Sequence, residues 1–264
     1  MINTITNSIH KEVKLLHKRK NRDEKNLFFI EGIRFVKDAI LGNVDIKYIV
    51  VSENLIKDSE IDKLLKNTNA KIYVATEKII KDLSDTDTPQ GIIAVLPYLD
   101  FDKQMDDKKS KTFLILDAIQ DPGNMGTIIR TADATGTDKI ILSKGCVDIY
   151  NPKVLRATMG SIFRTNVMMV ENLVDYIKML KKEGFMVLAA HLDATESYFD
   201  IDLKGNVAVV IGNEANGIRK EVSDVCSKYI KIPMIGNIES LNAGVSASVI
   251  LYEVLRQKIY SFDK

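Results

Sequence analysis

The stretch from Gln120 to Gly136, QDPGNMGTIIRTADATG, contains residue types that could bind an anionic substrate. An Asp-Pro-Gly turn opens it, and apolar residues at i, i+3, i+4 and i+7 from Met125 predict a helix with one buried stripe. Arg130 lies off this stripe, among small residues of the adjacent turns. It either pairs with Asp133 or another carboxylate as a structural ion pair or points towards a ligand, and the spacing leaves both interpretations open.

A second polar stretch, IGNEANGI (Ile211–Ile218), follows a strand made almost entirely of Val, Ala and Ile. Its glycines permit close backbone approach, and Glu214 is its single carboxylate. No Lys-Ser/Thr pair follows the glycine as in a P-loop, and no G-x-G-x-x-G occurs in the chain, which argues against a nucleotide-binding dehydrogenase. The stretch is therefore either a tight strand-to-helix turn or a loop that lines a pocket.

A third polar stretch begins at Ile232 and reads IPMIGNIESLNAGVSASV. Either Ser240 or Asn242 could cap the long helix predicted after it, since both side chains can accept from free helical N–H groups. Small residues fill the first turns of that helix. This composition predicts that the helix packs closely against another part of the chain.

The segments around these stretches predict an α/β protein. Up to about Pro97, strands (NLFFIEG, IKYIVVS, AKIYVAT, GIIAVL) alternate with helices, and the charged stretch from Tyr98 to Thr112 is the predicted linker. Beyond it, short apolar strands (TFLILD, KIIL, MVLAAH, VAVVIG, YIKI) alternate with helices, which predicts a parallel sheet covered on both faces. Ligands of such sheets bind beyond the carboxyl ends of the strands, where the three polar stretches lie.

Composition narrows the class of protein. The chain has 264 residues, 45% of them hydrophobic and 28% charged, and no apolar run approaches the roughly 20 residues of a membrane helix. Two isolated cysteines and three scattered histidines indicate a reducing cytoplasm and predict no metal site. The net charge is +1, so an anionic partner must meet a local patch. The basic segment from His10 to Lys25 is one candidate, although a solvated helix face explains it equally simply.

Taken together and in this order, the three stretches resemble the motifs of the SpoU (TrmH-type) branch of the SPOUT RNA methyltransferases. The segment YNPKVLRATMGSIFR (Tyr150–Arg164) is also similar to that family, and FFIEGIRFVKDAI resembles an L30e-like substrate-binding domain. The resemblance implies a small L30e-like α/β domain over residues 1–104 and a catalytic domain over 105–264. The latter would be a SPOUT domain with a parallel sheet and a deep trefoil knot, an exception to the usual avoidance of knots.

The resemblance also implies an activity, namely transfer of a methyl group from S-adenosylmethionine to a ribose 2′-hydroxyl of RNA by a cytoplasmic homodimer. RNA is the expected partner, and neither DNA nor a membrane is expected. The implied catalytic residues are Asn124, Arg130, Glu214, Ser240 and Asn242. The implied cofactor contacts, made largely by the backbone, are Gly212, Ile232 and Leu241.

A role for Arg130 follows from its chemistry. A guanidinium stays protonated at all ordinary pH values, so it is a poor base. We expect it to grip a phosphate beside the target ribose and to stabilise negative charge on the 2′-oxygen. Lys153, Arg156 and Arg164 are expected to join the basic N-terminal segment in binding RNA. Asn124, Ser240 and Asn242 are expected to hold the pocket and the ribose, and Glu214 to fix the loop or the RNA.

Three alternatives concern the substrate and the class of protein. The front domain favours 23S ribosomal RNA by analogy, and tRNA is the alternative within the same activity. A non-catalytic RNA-binding factor for ribosome assembly is the alternative of another class. The complete set of motif residues argues against such a factor.

Overall fold

The computed structural model describes residues 2–101 and 110–259 of the chain. In chain order, the strands are β1 (Ile2–Thr4), β2 (Leu27–Glu31), β3 (Tyr48–Ser52), β4 (Lys71–Ala75), β5 (Ile92–Pro97), β6 (Thr112–Asp117), β7 (Lys139–Ser143), β8 (Val167–Val170), β9 (Met186–Ala190), β10 (Glu196–Ser197), β11 (Val207–Gly212) and β12 (Lys228–Lys231). The helices are α1 (Asn7–Leu16), α2 (Arg19–Lys25), α3 (Ile33–Leu41), α4 (Ser59–Leu65), α5 (Glu77–Leu83), α6 (Pro122–Ala134), α7 (Pro152–Thr158), α8 (Leu173–Lys182), α9 (Lys220–Ser223) and α10 (Ala243–Ile259).

The strands predicted from apolar runs are all present, which confirms an α/β chain. Strands β1, β8 and β10 were not predicted, because each has only two to four residues. Helix α6 begins at Pro122 rather than Met125. Asp121 caps it by accepting from the backbone N–H of Asn124 at 2.7 Å, and proline is well suited to the first helical turn.

The chain divides into two compact units. The first unit comprises Met1–Asp100 and Asp148–Phe163. Its sheet has the strand order β1-β4-β3-β5-β2, in which β5 runs antiparallel to both of its neighbours. Its core packs side chains of helices α1 and α5 against those of strands β2, β3 and β5, including Leu16, Ile80, Phe29, Val50 and Val95.

The segment Asp148–Phe163 packs within the first unit, although the sequence assigned it to the catalytic domain. Tyr150 stacks on Tyr98 with ring centroids 4.0 Å apart. Arg156 donates to Glu31 at 3.2 Å and to Asp85 at 2.8 Å. The predicted boundary between residues 104 and 105 lies outside the described residues, so the division into domains at that point stays a prediction.

The second unit comprises Phe101–Val147 and Arg164–Lys264. Its seven-stranded sheet has the order β10-β12-β9-β11-β6-β7-β8, and all of its strand pairs are parallel, as predicted. Strands β6 and β11 lie at its centre with Asp117 opposite Gly212, so both end at the same edge of the sheet. Among the described residues, no helix has the length and apolar character needed to cross a membrane.

Candidate active site of the second unit

Three loops follow strands of the parallel sheet, and the predicted site residues lie on these loops or on the elements next to them. We define loop one as residues 118–121 after β6, loop two as residues 213–219 after β11, and loop three as residues 232–242 after β12. The register of β6 and β11 brings the first two loops side by side. This edge is where open α/β sheets bind their ligands.

Loop two closes tightly on itself. Asn213 and Gly217 exchange two backbone hydrogen bonds of 2.9 Å each, and the Asn213 side chain accepts from the N–H groups of Ala215 and Asn216. The closure folds the backbone of Gly217 directly over Gly212, where an added Cβ would lie 2.2 Å from the carbonyl carbon of Gly217 and from the nitrogen of Ile218. A residue larger than glycine therefore cannot occupy position 212 unless the loop moves.

We expect Gly212→Ala to destabilise the protein by about 1–3 kcal/mol, because the new methyl group meets backbone that cannot move aside. S-adenosylmethionine affinity should fall about tenfold or more if the displaced loop costs about 1.4 kcal/mol of binding free energy. Urea unfolding and calorimetry measure the two effects. Gly205→Ala is the matched control, since nothing lies within 4 Å of its added Cβ. Equal behaviour of the two variants would contradict the prediction.

Asn124, Glu214 and Asn242 meet in a polar cluster that joins the three loops. Asn124 lies in the first turn of α6 and is 7% exposed. Its Nδ2 donates to Glu214 Oε1 at 2.9 Å, and its Oδ1 accepts from Asn242 Nδ2 at 2.7 Å. Both ends of the Asn124 amide are therefore engaged by protein groups. In this arrangement the amide fixes the relative positions of the loops.

Asn242 settles which residue caps the long helix. Its Oδ1 accepts from the backbone N–H of Gly244 at 2.8 Å, at the start of α10. Ser240 is exposed and makes no hydrogen bond to the described residues. The structure thus brings Asn242 into the cluster and leaves Ser240 outside it.

Glu214 is held by the backbone of loop one. Its carboxylate accepts from the N–H groups of Gln120 and Asp121, each at 3.2 Å, in addition to Asn124. Burial of the carboxyl group opposes ionisation, but these donors outweigh it and lower the pKa of Glu214 below its ordinary value. The ionised Glu214 side chain therefore links loop two to loop one through hydrogen bonds.

The lowered pKa of Glu214 predicts the pH dependence of this link. Its ionised form stabilises the folded loops fully above the ordinary pKa of 4.5, and the stabilisation is lost as the pH falls through the lowered value. We expect Glu214→Gln to melt at a lower temperature than the unaltered protein near neutral pH. The difference should vanish in acid, and a difference that is independent of pH would contradict the assignment.

Arg130 lies on α6 as an exposed side chain. It forms no hydrogen bond or ion pair with residues 2–101 or 110–259. Its predicted structural partner, Asp133, is instead bound by Arg164 at 2.7 Å. The structural ion pair between Arg130 and Asp133 is therefore absent, which leaves the Arg130 guanidinium available to a ligand.

The small residues beside Arg130 have a packing role that the sequence did not specify. An added Cβ on Gly244 of α10 would lie 3.2 Å from the Thr127 side chain of α6, and the hydroxyls of Thr131 and Ser248 are 2.8 Å apart. Small residues on both helices thus allow close contact of α6 with α10. This contact positions the first turn of α10, and with it Asn242.

The predicted cofactor contacts Gly212, Ile232 and Leu241 are half-buried at the bases of loops two and three. The backbone of residues 234–241 forms no hydrogen bond with the part of the chain that the structure describes. Backbone donors and acceptors in such a loop are free to bind a ligand. These residues fit a cofactor that is held mainly through backbone contacts.

Sequence reasoning missed two charged residues of this edge, Asp117 and Arg219. Asp117 is fully buried at the end of β6, and Arg219 binds it with two nitrogens of its guanidinium. A carboxylate that ends an otherwise apolar strand was the sequence signal for Asp117. Nothing local identified Arg219 as its partner, because the two residues are far apart in the chain.

Residues 111–252, more than half of the chain and all three loops, match the SpoU rRNA methylase family. The chain belongs to this family. Residues 7–94 match the MRM3-like substrate binding domain. A Staphylococcus aureus (strain COL) protein named for the TrmH family of tRNA/rRNA methyltransferases is 39% identical over 238 residues, which cover 87% of this chain and 96% of that protein.

Solved structures agree with the assignment of the chain to this family. An AdoMet-bound rRNA methyltransferase from Sinorhizobium meliloti superposes with a TM-score of 0.85 and 30% identity, covering 97% of this chain and 98% of that one. An RNA 2′-O ribose methyltransferase superposes with a TM-score of 0.80 and 29% identity, covering 98% of this chain and 100% of that one. The chain is therefore an RNA methyltransferase that uses S-adenosylmethionine.

Proposed function

We propose that the chain methylates a ribose 2′-hydroxyl of structured RNA and that its substrate is 23S ribosomal RNA. The observation that carries the proposal is the cluster of Asn124, Glu214 and Asn242. Arg130 lies on the same helix as Asn124 and has no hydrogen-bond or ion-pair partner among the described residues. The 2′-O position agrees with the name of one solved relative, and the ribosomal substrate agrees with the name of the matched family and of another relative.

S-adenosylmethionine, when bound, supplies a methyl group already activated by the positive charge on its sulfur. The chain must then orient the ribose hydroxyl, and positioning of this kind can contribute up to about 7–11 kcal/mol. Arg130 grips a neighbouring phosphate with its planar fork and stabilises negative charge on the 2′-oxygen. It does not take the proton, because a guanidinium is already protonated and is a poor base.

The remaining site residues hold the pocket. Asn124 and Glu214 fix loops one and two, and Asn242 fixes the start of α10. Ser240 is exposed on loop three, from which it would contact the ribose. Gly212, Ile232 and Leu241 would hold the cofactor through the backbone. The deep trefoil knot expected around loops two and three is part of this proposal.

The proposal includes a homodimer formed through the second unit. Val245, Tyr252 and Ile259 are exposed on α10, by 44%, 52% and 52% respectively. Residues seven positions apart lie on one face of a helix, so the three form an apolar stripe. An exposed apolar stripe of this kind supports burial against a second copy.

The basic residues expected to bind RNA are largely engaged within the chain. Arg22 is 3% exposed and bonded to Asp148, and Lys14 binds Asp82. Ion pairs likewise hold Arg156 and Arg164. Lys153 is exposed and forms no ion pair with the described residues. Of the basic residues named in this paragraph, only Lys153 is therefore available to RNA, and the RNA surface must use further basic residues.

We infer that a cavity of about 370 Å³ in the first unit takes part in RNA binding. The exposed Arg34 has no ion-pair partner among the described residues, and the buried Phe35 lies beside it. Gln90 accepts from the N–H of Ile33 through its Oε1 at 2.8 Å, which leaves its amide N–H groups as donors. An apolar wall beside unpaired donors suits an unpaired nucleotide.

Arg34→Gln is expected to raise the KM for RNA about tenfold with little change in kcat, because a lost phosphate or base contact costs about 1–2 kcal/mol of binding. Filter binding at two salt concentrations should show a shallower salt dependence for the variant. Lys66→Gln, which breaks only a surface ion pair with Asp62, is the control. An unchanged KM in Arg34→Gln would remove the cavity from the RNA surface.

The test of the proposed function is a map of 2′-O-methyl sites in total RNA from cells with and without the gene. Loss of one site in 23S RNA, restored by the gene, is the expected result. Loss of a tRNA site would support the tRNA alternative. No lost site together with no S-adenosylmethionine binding in calorimetry would support the non-catalytic assembly factor. A cytoplasmic location also belongs to this proposal, and the bacterial RNA methyltransferases that the chain resembles support it.

A further inference from the structure

Asp117 is a fully buried carboxylate at the carboxyl end of β6. Its Oδ1 accepts from Nε and Nη2 of Arg219 at 2.9 and 2.7 Å and from the Ser143 hydroxyl at 3.1 Å. Its Oδ2 accepts from the backbone N–H of Arg219 at 2.9 Å. Burial of a charge is costly unless it is fully paired, and here each oxygen has donors.

The donors to Asp117 come from two other segments of the same sheet edge. Ser143 is the last residue of β7, and Arg219 is the last residue of loop two. The carboxylate therefore connects the ends of three chain segments. The hydrogen bond from the Arg219 backbone N–H to Asp117 fixes the position of the backbone at the end of loop two. An ion pair between the two side chains alone would not fix the backbone.

Ala118, the residue after Asp117, connects this ion pair to loop one. It has a left-handed backbone with φ of 57°, which is strained for a residue other than glycine. Its N–H donates to Ser143 Oγ at 2.9 Å, and its carbonyl accepts from Asn213 Nδ2 at 2.8 Å. Strained conformations persist only where neighbouring contacts enforce them. Here Asp117 holds Ser143, which accepts from the Ala118 N–H, and it also holds Arg219 at the end of loop two.

The two loops that leave this point carry the polar cluster. Loop one supplies the N–H groups of Gln120 and Asp121 that hold Glu214, and Glu214 belongs to loop two. The distance between the loops at their bases therefore sets whether Glu214 and Asn124 can meet. Because Arg219 remains 46% exposed, the pair lies at the loop edge of the sheet and not in its core.

We propose that Asp117 and Arg219 are positioning residues for methyl transfer, which set the spacing of loops one and two through the ion pair between the buried Asp117 carboxylate and the half-exposed Arg219. The inference rests on the proposed function, since it assigns these residues to the same site. Neither residue contacts a reacting group in this scheme. They act through the cluster of Asn124 and Glu214 and through the strained turn at Ala118.

Arg219→Gln tests the proposal, since it removes the charge and the fork at a half-exposed position. We expect kcat to fall about 10- to 100-fold, as small misplacements of catalytic groups do. S-adenosylmethionine affinity should weaken, whereas the dissociation constant for RNA should change by less than about twofold. Arg219→Lys restores the positive charge but not the planar guanidinium, so its kcat should lie between those of the unaltered protein and Arg219→Gln. Asp117→Asn should reproduce the loss.

Lys220→Gln is the matched control, because it removes a neighbouring positive charge whose ion pair with Asp224 is on the surface. Binding stoichiometry in calorimetry corrects kcat for the folded fraction. Arg219→Gln with wild-type affinity and corrected kcat would overturn the proposal, as would equal losses in Lys220→Gln. The measurement of S-adenosylmethionine affinity requires no RNA. It therefore tests the role of the ion pair even if the RNA product is not a 2′-O-methyl ribose. Failure of the unaltered protein to modify RNA would refute the proposed function instead.

Discussion

Replacing Arg130 by glutamine is expected to lower kcat about 100- to 1,000-fold, the usual effect of removing one fixed donor from a developing negative charge. Folding should be almost unaffected, within about 0.5 kcal/mol, because an exposed side chain without a partner among the described residues is lost. Single-turnover methyl transfer to RNA and urea unfolding measure the two effects. A large catalytic loss without a loss of stability would identify Arg130 as a substrate-facing group.

Arg130→Lys separates the charge of Arg130 from its geometry. A lysine keeps the positive charge but cannot form two parallel hydrogen bonds to a phosphate, so we expect it to recover only a small part of kcat. Arg256→Lys is the control, since Arg256 is an exposed arginine that binds Glu253 on α10. Near-full turnover in Arg130→Lys would show that the bidentate role is wrong and that a point charge is sufficient.

Replacing Arg22 by methionine is expected to destabilise the protein by about 3–5 kcal/mol, the usual cost of breaking a buried ion pair on one side. Arg22 binds Asp148 and donates to the carbonyls of Leu16 and His17 at 2.8 and 3.0 Å. The variant leaves these acceptors buried without their donor. Urea unfolding, followed by far-UV circular dichroism, measures the loss.

Arg19→Met is the matched control on the same helix, because Arg19 is exposed and its contact with Asp23 is 3.5 Å long. A surface pair of this kind contributes about 0–1 kcal/mol. The double variant Arg22→Met with Asp148→Asn should lose less stability than the two single variants added together, by about 0.5–3 kcal/mol. Additive losses would mean that the two side chains are not coupled.

Most of the secondary structure and the position of the site could be predicted from the sequence. Apolar runs identified the central strands, and the loops after β6, β11 and β12 were expected to carry the chemistry. The cap of α6 is also local, since Asp121 reaches an N–H only three residues away. Patterns of this kind are predictable because burial and capping depend on neighbours within a turn or a strand.

Charge pairing was not predictable in the same way. Arg22, Arg156 and Arg164 resemble Arg130 in sequence terms, yet each is bound to a carboxylate in the folded chain. Their partners are 31 to 126 residues away, and no local pattern reports which pairs will form. The sequence therefore offered several candidate RNA contacts, and the fold engages most of them internally.

The sequence by itself determined that this chain is an α/β protein with three polar loops and which residue types those loops carry. The tertiary structure decided what each residue does there. It pairs Asp133 with Arg164, so that Arg130 has no partner within the described part of the chain, and it makes Asn124 a link between Glu214 and Asn242. It also paired Asp117 with Arg219. These outcomes depend on distances between segments that are remote in the chain, and only the packed sheet fixes those distances.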